Sequence, residues 1–157
     1  MVTNDYKFPR FLRLFLALRL GFAVALIDSR GSSDRGTAFE AHLRYRMGTV
    51  ELKDQIEGLR HLAQARIGAV PNSQGDFVSV IDLERVAITG WSYGGYLSLM
   101  AIAQYPEVFK IAIAGAPVTQ WELYDTAYTE RYMGLPGVNA EGYKRGSVID
   151  MAEKFPD

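Results

Sequence analysis

Gly90-Trp91-Ser92-Tyr93-Gly94-Gly95 has the form G-x-S-x-G, the pattern that exposes a nucleophilic serine on a sharp strand-to-helix turn. The pentad is only moderately specific, so its flanks decide the reading. Ahead of it, Arg85-Val86-Ala87-Ile88-Thr89 is a short apolar, partly β-branched run that suits a buried strand of a parallel sheet. Behind it, Tyr96-Leu97-Ser98-Leu99-Met100-Ala101-Ile102-Ala103-Gln104-Tyr105 is rich in helix formers and stops at Pro106. Strand, serine, helix is the context the motif requires. Gly90 and Gly94 are then expected where strand and helix backbones pass too close to leave room for a Cβ. The competing reading is an ordinary glycine-containing turn whose serine caps the helix.

Two further apolar runs read as buried strands, residues 22–27 and residues 110–115, the latter containing Ile111-Ala112-Ile113-Ala114. Residues 51–65 carry Leu52, Ile56, Leu59 and Leu62 at helical spacing, with charges opposite, as expected of a crossover helix covering the sheet. This alternation predicts an α/β fold with a parallel sheet, and it places Ser92 at the carboxyl end of its strand. Residues 11–27 are mostly apolar, but Arg13, Arg19 and Gly21 interrupt them, so a membrane span is excluded. They read as core: a helix with its arginines on the wet face, ended by Gly21, then a strand. The polar Thr3-Asn4-Asp5 also argues against a secretory signal. Residues 68–76 form a turn-rich surface loop. Residues 28–36 lack the Gly-Lys-Ser/Thr of a P-loop and the G-x-G-x-x-G of a dinucleotide site, and read as a solvated turn held by Asp and Arg side chains. The polar, glycine-rich stretch from Gly134 onward carries no assigned element.

With 157 residues, 48% of them hydrophobic and 22% charged, the chain is within the size of one globular domain that buries a core. A net charge of −1 gives no electrostatic case for nucleic acid or for an anionic membrane. The absence of cysteine excludes disulfides, thiolate metal sites and a cysteine nucleophile, and points to a reducing compartment, the cytoplasm.

A nucleophilic serine needs a base, usually histidine, and the base needs a carboxylate to orient it. The two histidines, His42 and His61, both precede Ser92, whereas α/β hydrolases run Ser, then Asp or Glu, then His. His61 falls in the crossover helix, away from the carboxyl edge of the sheet; His42 follows the first strand and is the nearer of the two by position. Asp125, Glu130 and Asp150 come after Ser92 but have no histidine to orient. The triad is therefore incomplete within this sequence.

The elbow through Tyr96, then Ile113-Ala114-Gly115-Ala116-Pro117-Val118-Thr119, then Tyr124-Asp125-Thr126-Ala127-Tyr128-Thr129-Glu130-Arg131-Tyr132-Met133-Gly134 strongly resemble the dipeptidyl peptidase branch of the prolyl oligopeptidase family. So do Asp28-Ser29-Arg30-Gly31-Ser32, Tyr45-Arg46-Met47-Gly48 and Asp54-Gln55-Ile56-Glu57-Gly58. The likeness spans nearly the whole chain and is strongest to the cytosolic dipeptidyl peptidase 8 and 9 group. It implies an incomplete α/β-hydrolase fold, with the central parallel strands and the nucleophile elbow but without the C-terminal strands that carry Asp and His. Residues 1–157 would be a partial peptidase catalytic domain with no β-propeller domain. By the same resemblance Ser92 is the nucleophile, and the backbone N–H of Tyr93 is a donor to the oxyanion. Val118, Trp121, Tyr124 and Tyr128 would line the pocket for a penultimate proline. Independently, Trp121, Tyr124 and Tyr128 stand at i, i+3, i+7 and would share one helical face, a spacing that core aromatic stripes also show.

The implied activity is release of N-terminal Xaa-Pro or Xaa-Ala dipeptides from a peptide substrate. No cofactor, metal, nucleic acid or membrane is implied, and the full-length form is expected to be a cytoplasmic homodimer. In two respects the sequence departs from the family pattern: residues 68–76 form a longer loop, and Thr89 stands where relatives carry His or an aromatic. Without a histidine base the isolated chain is expected to be inactive. The alternatives are an esterase or acyl-peptide hydrolase of the same fold, and a non-catalytic truncated isoform or pseudoenzyme that acts by pairing with a full-length subunit.

Overall fold

The computed structural model describes residues 10–65 and 68–156. Their helices and strands run α1 (Phe11–Leu20), α2 (Thr37–Glu40), α3 (Val50–Gln64), β1 (Val70–Pro71), β2 (Phe77–Val78), β3 (Val86–Trp91), α4 (Tyr93–Gln104), β4 (Phe109–Gly115), α5 (Thr126–Met133) and α6 (Ala140–Arg145). Tight 3-10 turns occupy Ala41–Leu43, Trp121–Leu123 and Ile149–Lys154.

The apolar runs on either side of α4 pair with each other in parallel, from Val86 opposite Phe109 to Trp91 opposite Gly115. Parallel neighbours need a crossover, and α4 supplies it while packing on both strands. Because α4 is covered from several sides, its sequence is apolar nearly all round, and Tyr96, Met100 and Ala101 are fully buried. Helix α3, packed against α4, contributes Leu52, Ile56 and Leu59 to the same core, joined by Met47, Trp121, Met133 and Tyr143. The helix expected over residues 51–65 is thus present, packed on α4, and Leu62 is half-buried at its end. It is not a crossover covering the sheet, because residues 22–27 supply no strand ahead of it. One charged residue departs from the expected wet face: Glu51 lies in the core at 2% exposure.

Residues 22–27 do not form a strand. They have no ladder partner among the described residues, and all of residues 22–26 are left exposed, Phe22, Val24 and Leu26 among them. Only the end of the run is held, where Ile27 packs at Gly58 and its carbonyl accepts from the Gln55 side chain at 2.8 Å. Helix α1 forms where expected and ends at Gly21 in the left-handed region (φ 72°), with Phe22 N–H donating back to Leu16 C=O at 3.0 Å. The expectation that residues 11–27 are core fails for α1 as well: it has no buried residue, and Phe11 and Leu18 are 84% and 77% exposed. Apolar composition states a preference for burial, but burial needs an opposing surface, and none of the described residues supplies one. No described helix is long and apolar enough to cross a membrane.

The polar segments are better tied down than their composition indicates. Arg30 grips Asp54 of α3 through its side chain (Nη2 to Oδ1 2.6 Å, Nε to Oδ2 2.9 Å) and through its backbone N–H (2.8 Å). Arg35 meets Asp28 at 3.1 Å, so the 28–36 turn is held by Asp and Arg as expected, with one anchor outside it. Residues 68–76 hold β1 and the turn of the β1–β2 hairpin, in which Asn72 Oδ1 accepts from the Gln74 and Asp76 amides. The stretch after Gly134 is ordered into α6 and a 3-10 turn. There the buried Tyr143 donates its hydroxyl to Gly134 C=O at 2.7 Å, and Val148 N–H donates to Thr119 C=O at 2.9 Å. That last bond steadies the loop after β4, which borders the site.

Hydrogen bonding from Arg30 holds the Asp54 carboxyl below the usual carboxylate range despite partial burial. A depressed folded-state value stabilises the fold above the unfolded carboxylate range, and the contribution disappears as pH falls through the folded value. Thermal melts followed by circular dichroism should show Asp54→Asn melting below the parent at pH 7. The gap should close as the pH is lowered into the acid range.

Candidate active site

Strand β3 ends at Trp91 and α4 begins at Tyr93, so the whole change of direction falls on Ser92, at φ 56° and ψ −116°. Positive φ is uncommon for a residue with a Cβ and costs on the order of 1–3 kcal/mol, so the surroundings must enforce it. Ser92 N–H donates to Gly115 C=O at the end of β4 (2.8 Å), and Ser92 C=O accepts from Tyr96 N–H (2.9 Å). A Cβ on Gly90 would lie 2.3 Å from the Gly94 carbonyl carbon, so a side chain there would push strand and helix apart. Gly94 differs from expectation: its own Cβ would meet open space, and its part is to present bare backbone to Gly90. Ser92 occupies the N-cap position of α4, yet its side chain makes no capping hydrogen bond. The capping reading therefore falls, and an exposed hydroxyl remains at the carboxyl end of a parallel strand.

Tyr93 N–H is the first amide of α4, where backbone donors have no intrahelical acceptor and the helix dipole favours negative charge. Its side chain runs the other way, into the protein, and its hydroxyl donates to the Glu51 carboxylate. Burial, and then the negative charge of Glu51, push the Tyr93 phenol well above its ordinary pKa, so it stays a donor. Glu51 was not recognisable as part of the site from sequence. The only signal is an acid in the first turn of a helix, which reads as a capping or dipole residue.

The hydroxyl of Ser92 opens on a cleft of about 360 Å³ bordered by Trp91, residues 116–120, Leu123 and Tyr124. Two of the residues expected there, Val118 and Tyr124, line it directly. Trp121 does not: it is buried at 1% exposure, with its ring 5.0 Å from that of Tyr96 and 5.8 Å from that of Tyr93. Tyr128 stacks on Trp121 (6.0 Å, 17°) and meets Tyr124 edge-on at 5.5 Å, so this pair backs the wall that Tyr124 presents. Tyr128 borders a second, smaller cavity of about 130 Å³ shared with Tyr93 and Met47. The aromatic triplet converges as its spacing predicts, but not on one helix. Trp121 sits in a 3-10 turn, Tyr124 is extended (φ −93°, ψ 170°), and Asp125 then restarts the helix by capping Tyr128 N–H at 2.9 Å. Ala116, at φ 44°, is a second strained residue beside Ser92 that sequence reading missed.

Neither histidine reaches the serine. His42 packs edge-on against Phe39 at 6.5 Å, and His61 is exposed near the end of α3. Among the described residues no acid or histidine side chain is hydrogen-bonded to Ser92. Of the acids after it, Asp125 is a helix cap, while Glu130 and Asp150 lie on α5 and on the last 3-10 turn.

A strained serine between a parallel strand and a buried helix, next to an unpartnered first-turn amide, defines the nucleophile elbow of the α/β-hydrolase fold. The model of the prolyl oligopeptidase family matches residues 9–156, and the chain belongs to that family. It is 53% identical over 156 residues to dipeptidyl peptidase 8 of Mus musculus, an overlap of 99% of this chain and 16% of the relative. To dipeptidyl peptidase 4 of Bos taurus it is 40% identical over 143 residues, 90% of this chain and 17% of the relative. A solved structure from Bacteroides ovatus, described as a dipeptidyl aminopeptidase IV, superposes with a TM-score of 0.71 at 38% identity, covering 82% of this chain and 16% of its own. The chain thus spans about one sixth of the length of the relatives it matches.

The two elbow glycines should respond differently to alanine. Gly90→Ala forces a backbone clash and should destabilise by about 3 kcal/mol or more in thermal melts. Gly94→Ala places a methyl in open space within a helix and should be neutral or stabilising by up to about 1 kcal/mol.

Proposed function

We propose that this chain supplies the nucleophile and part of the proline pocket of a serine dipeptidyl aminopeptidase, residues 1–157 being a partial peptidase catalytic domain. The observation that carries this reading is the Ser92 hydroxyl, free of any capping role and opening on the cleft that Val118 and Tyr124 line. A peptide enters with its second residue, Pro or Ala, against Val118 and Tyr124. Trp121 and Tyr128 hold the Tyr124 ring from behind, and flat aromatic walls suit a rigid pyrrolidine. Ser92 Oγ attacks the carbonyl carbon of that residue, and negative charge develops on the carbonyl oxygen. Tyr93 N–H, at the positive end of α4, donates to it. Collapse of the tetrahedral species breaks the peptide bond, and the remaining peptide leaves as an amine that receives the proton given up by Ser92. The dipeptidyl ester left on Ser92 is then hydrolysed by water.

The serine proton must pass to a base that neither His42 nor His61 provides, so turnover requires a histidine and an orienting acid from further family sequence. The identity to dipeptidyl peptidases 8 and 4 favours the dipeptidyl activity over an esterase or acyl-peptide hydrolase. A cytoplasmic location and pairing of two full-length copies belong to the same reading. A non-catalytic product is the second reading; the bare apolar surface of α1 calls for a covering partner under either.

A chimera separates the two. With this chain replacing the matching 156 residues of mouse dipeptidyl peptidase 8, a Gly-Pro or Ala-Pro anilide should be hydrolysed, and Ser92→Ala should lower the rate by about 10⁴-fold or more. The 157-residue chain alone should show no turnover. A folded chimera without activity would establish the non-catalytic reading.

A further inference from the structure

Residues 47–51 form a platform beneath the first turn of α4, touching it at two tyrosine hydroxyls on one helix face. Tyr96 donates to Met47 C=O at 3.2 Å, and Gly48 lies so close below that a Cβ there would be 2.0 Å from the same hydroxyl. Three residues earlier, the Tyr93 hydroxyl donates to Glu51 Oε1. That oxygen also accepts Gly48 N–H at 2.9 Å, and Oε2 accepts Thr49 N–H at 2.9 Å. The two amides alone would explain an acid in the first turn of α3. The phenol belongs to another element and is not needed for capping. Between its ends Tyr93 is fixed by the Ser92 turn on one side and by Glu51 on the other, with its ring 5.4 Å from Tyr96 and 5.8 Å from Trp121. Removing the carboxylate would leave three donors, one buried and two partly buried, without their acceptor, and the ring would have to move to find another.

We infer that Glu51 is a positioning residue for the oxyanion donor: by anchoring the Tyr93 hydroxyl it sets the aim of Tyr93 N–H and holds Ser92 in its strained turn. This rests on the peptidase reading above. Glu51 touches neither substrate nor reacting atoms, so its effect reaches the chemistry only through Tyr93. Interactions with a developing oxyanion act mainly in the transition state, so misaiming the donor should lower kcat and leave KM nearly unchanged.

The test uses the chimera with Glu51→Gln, which keeps the volume but offers one acceptor oxygen to three donors, with Tyr93→Phe, and with both. Each single variant should lose about 10- to 100-fold in kcat on an Ala-Pro anilide with KM within about twofold. The double variant should be no worse than the weaker single, because both break the same link. Unchanged kcat alongside a lowered melting temperature, or losses that multiply, would overturn the inference. Hydrogen exchange of the peptide spanning residues 90–95 gives a readout independent of turnover. It should speed up about tenfold or more in both single variants, and unchanged exchange would equally overturn the inference. If the unsubstituted chimera proves inactive, the peptidase reading has failed, and exchange alone decides whether Glu51 anchors the elbow. Should Glu51→Gln not fold, Tyr93→Phe carries the test by itself.

Discussion

Everything at the site depends on the close approach of one strand to one helix. With φ at 56°, Ser92 stores strain that an isolated turn would release, and three contacts prevent release. Gly90 abuts the Gly94 backbone, Gly115 C=O takes the Ser92 amide, and Tyr96 N–H takes the Ser92 carbonyl. The first two contacts join different elements and the third is the first turn of α4 itself, so the serine holds its shape only while β3, β4 and α4 stay packed together. The composition of α4 follows from this: a helix packed on two strands, on α3 and on the last 3-10 turn has no exposed side left for charge.

The same packing explains why the aromatic residues near the site divide into a lining and a support. A cleft wall has to be exposed, whereas the residue fixing that wall has to be buried. Tyr124 and Val118 take the first role, and Trp121, at 1% exposure between Tyr96, Tyr93 and Tyr128, takes the second. Beneath them the carboxylate of Glu51 joins α3 to the elbow, so both helices flanking the core meet within one residue of the nucleophile.

What was legible in the sequence was local. The elbow, β3, β4, α3 and the Gly21 helix stop all follow from short-range pattern, because glycine placement and apolar periodicity act within a few residues. The expected burial of both strands does not hold: Trp91, Ile111 and Ile113 are 76%, 58% and 63% exposed on the face opposite α4, where no described residue covers them. Residues 22–27 carry as good a strand pattern as β4, but a strand exists only when a ladder partner lies beside it, and the pattern does not contain the partner. The buried Glu51 was hidden for the opposite reason. An acid one position into a helix has an adequate local explanation, and its tertiary role appears only when Tyr93, forty-two residues away in sequence, is brought onto it. The i, i+3, i+7 aromatic spacing gave the right convergence from the wrong element, because the chain is extended at Tyr124, Asp125 starts a new helix that carries Tyr128, and the rings meet across the break.

The central claim is that the strained serine is the reacting atom's carrier. It is tested most directly by treating the chimera with diisopropyl fluorophosphate, which phosphorylates activated serines, and mapping the adduct by peptide mass spectrometry. The account predicts a single adduct, on Ser92, formed in step with loss of anilide hydrolysis. A fully inhibited protein with Ser92 unmodified, or an active one in which Ser92 never reacts, would contradict it.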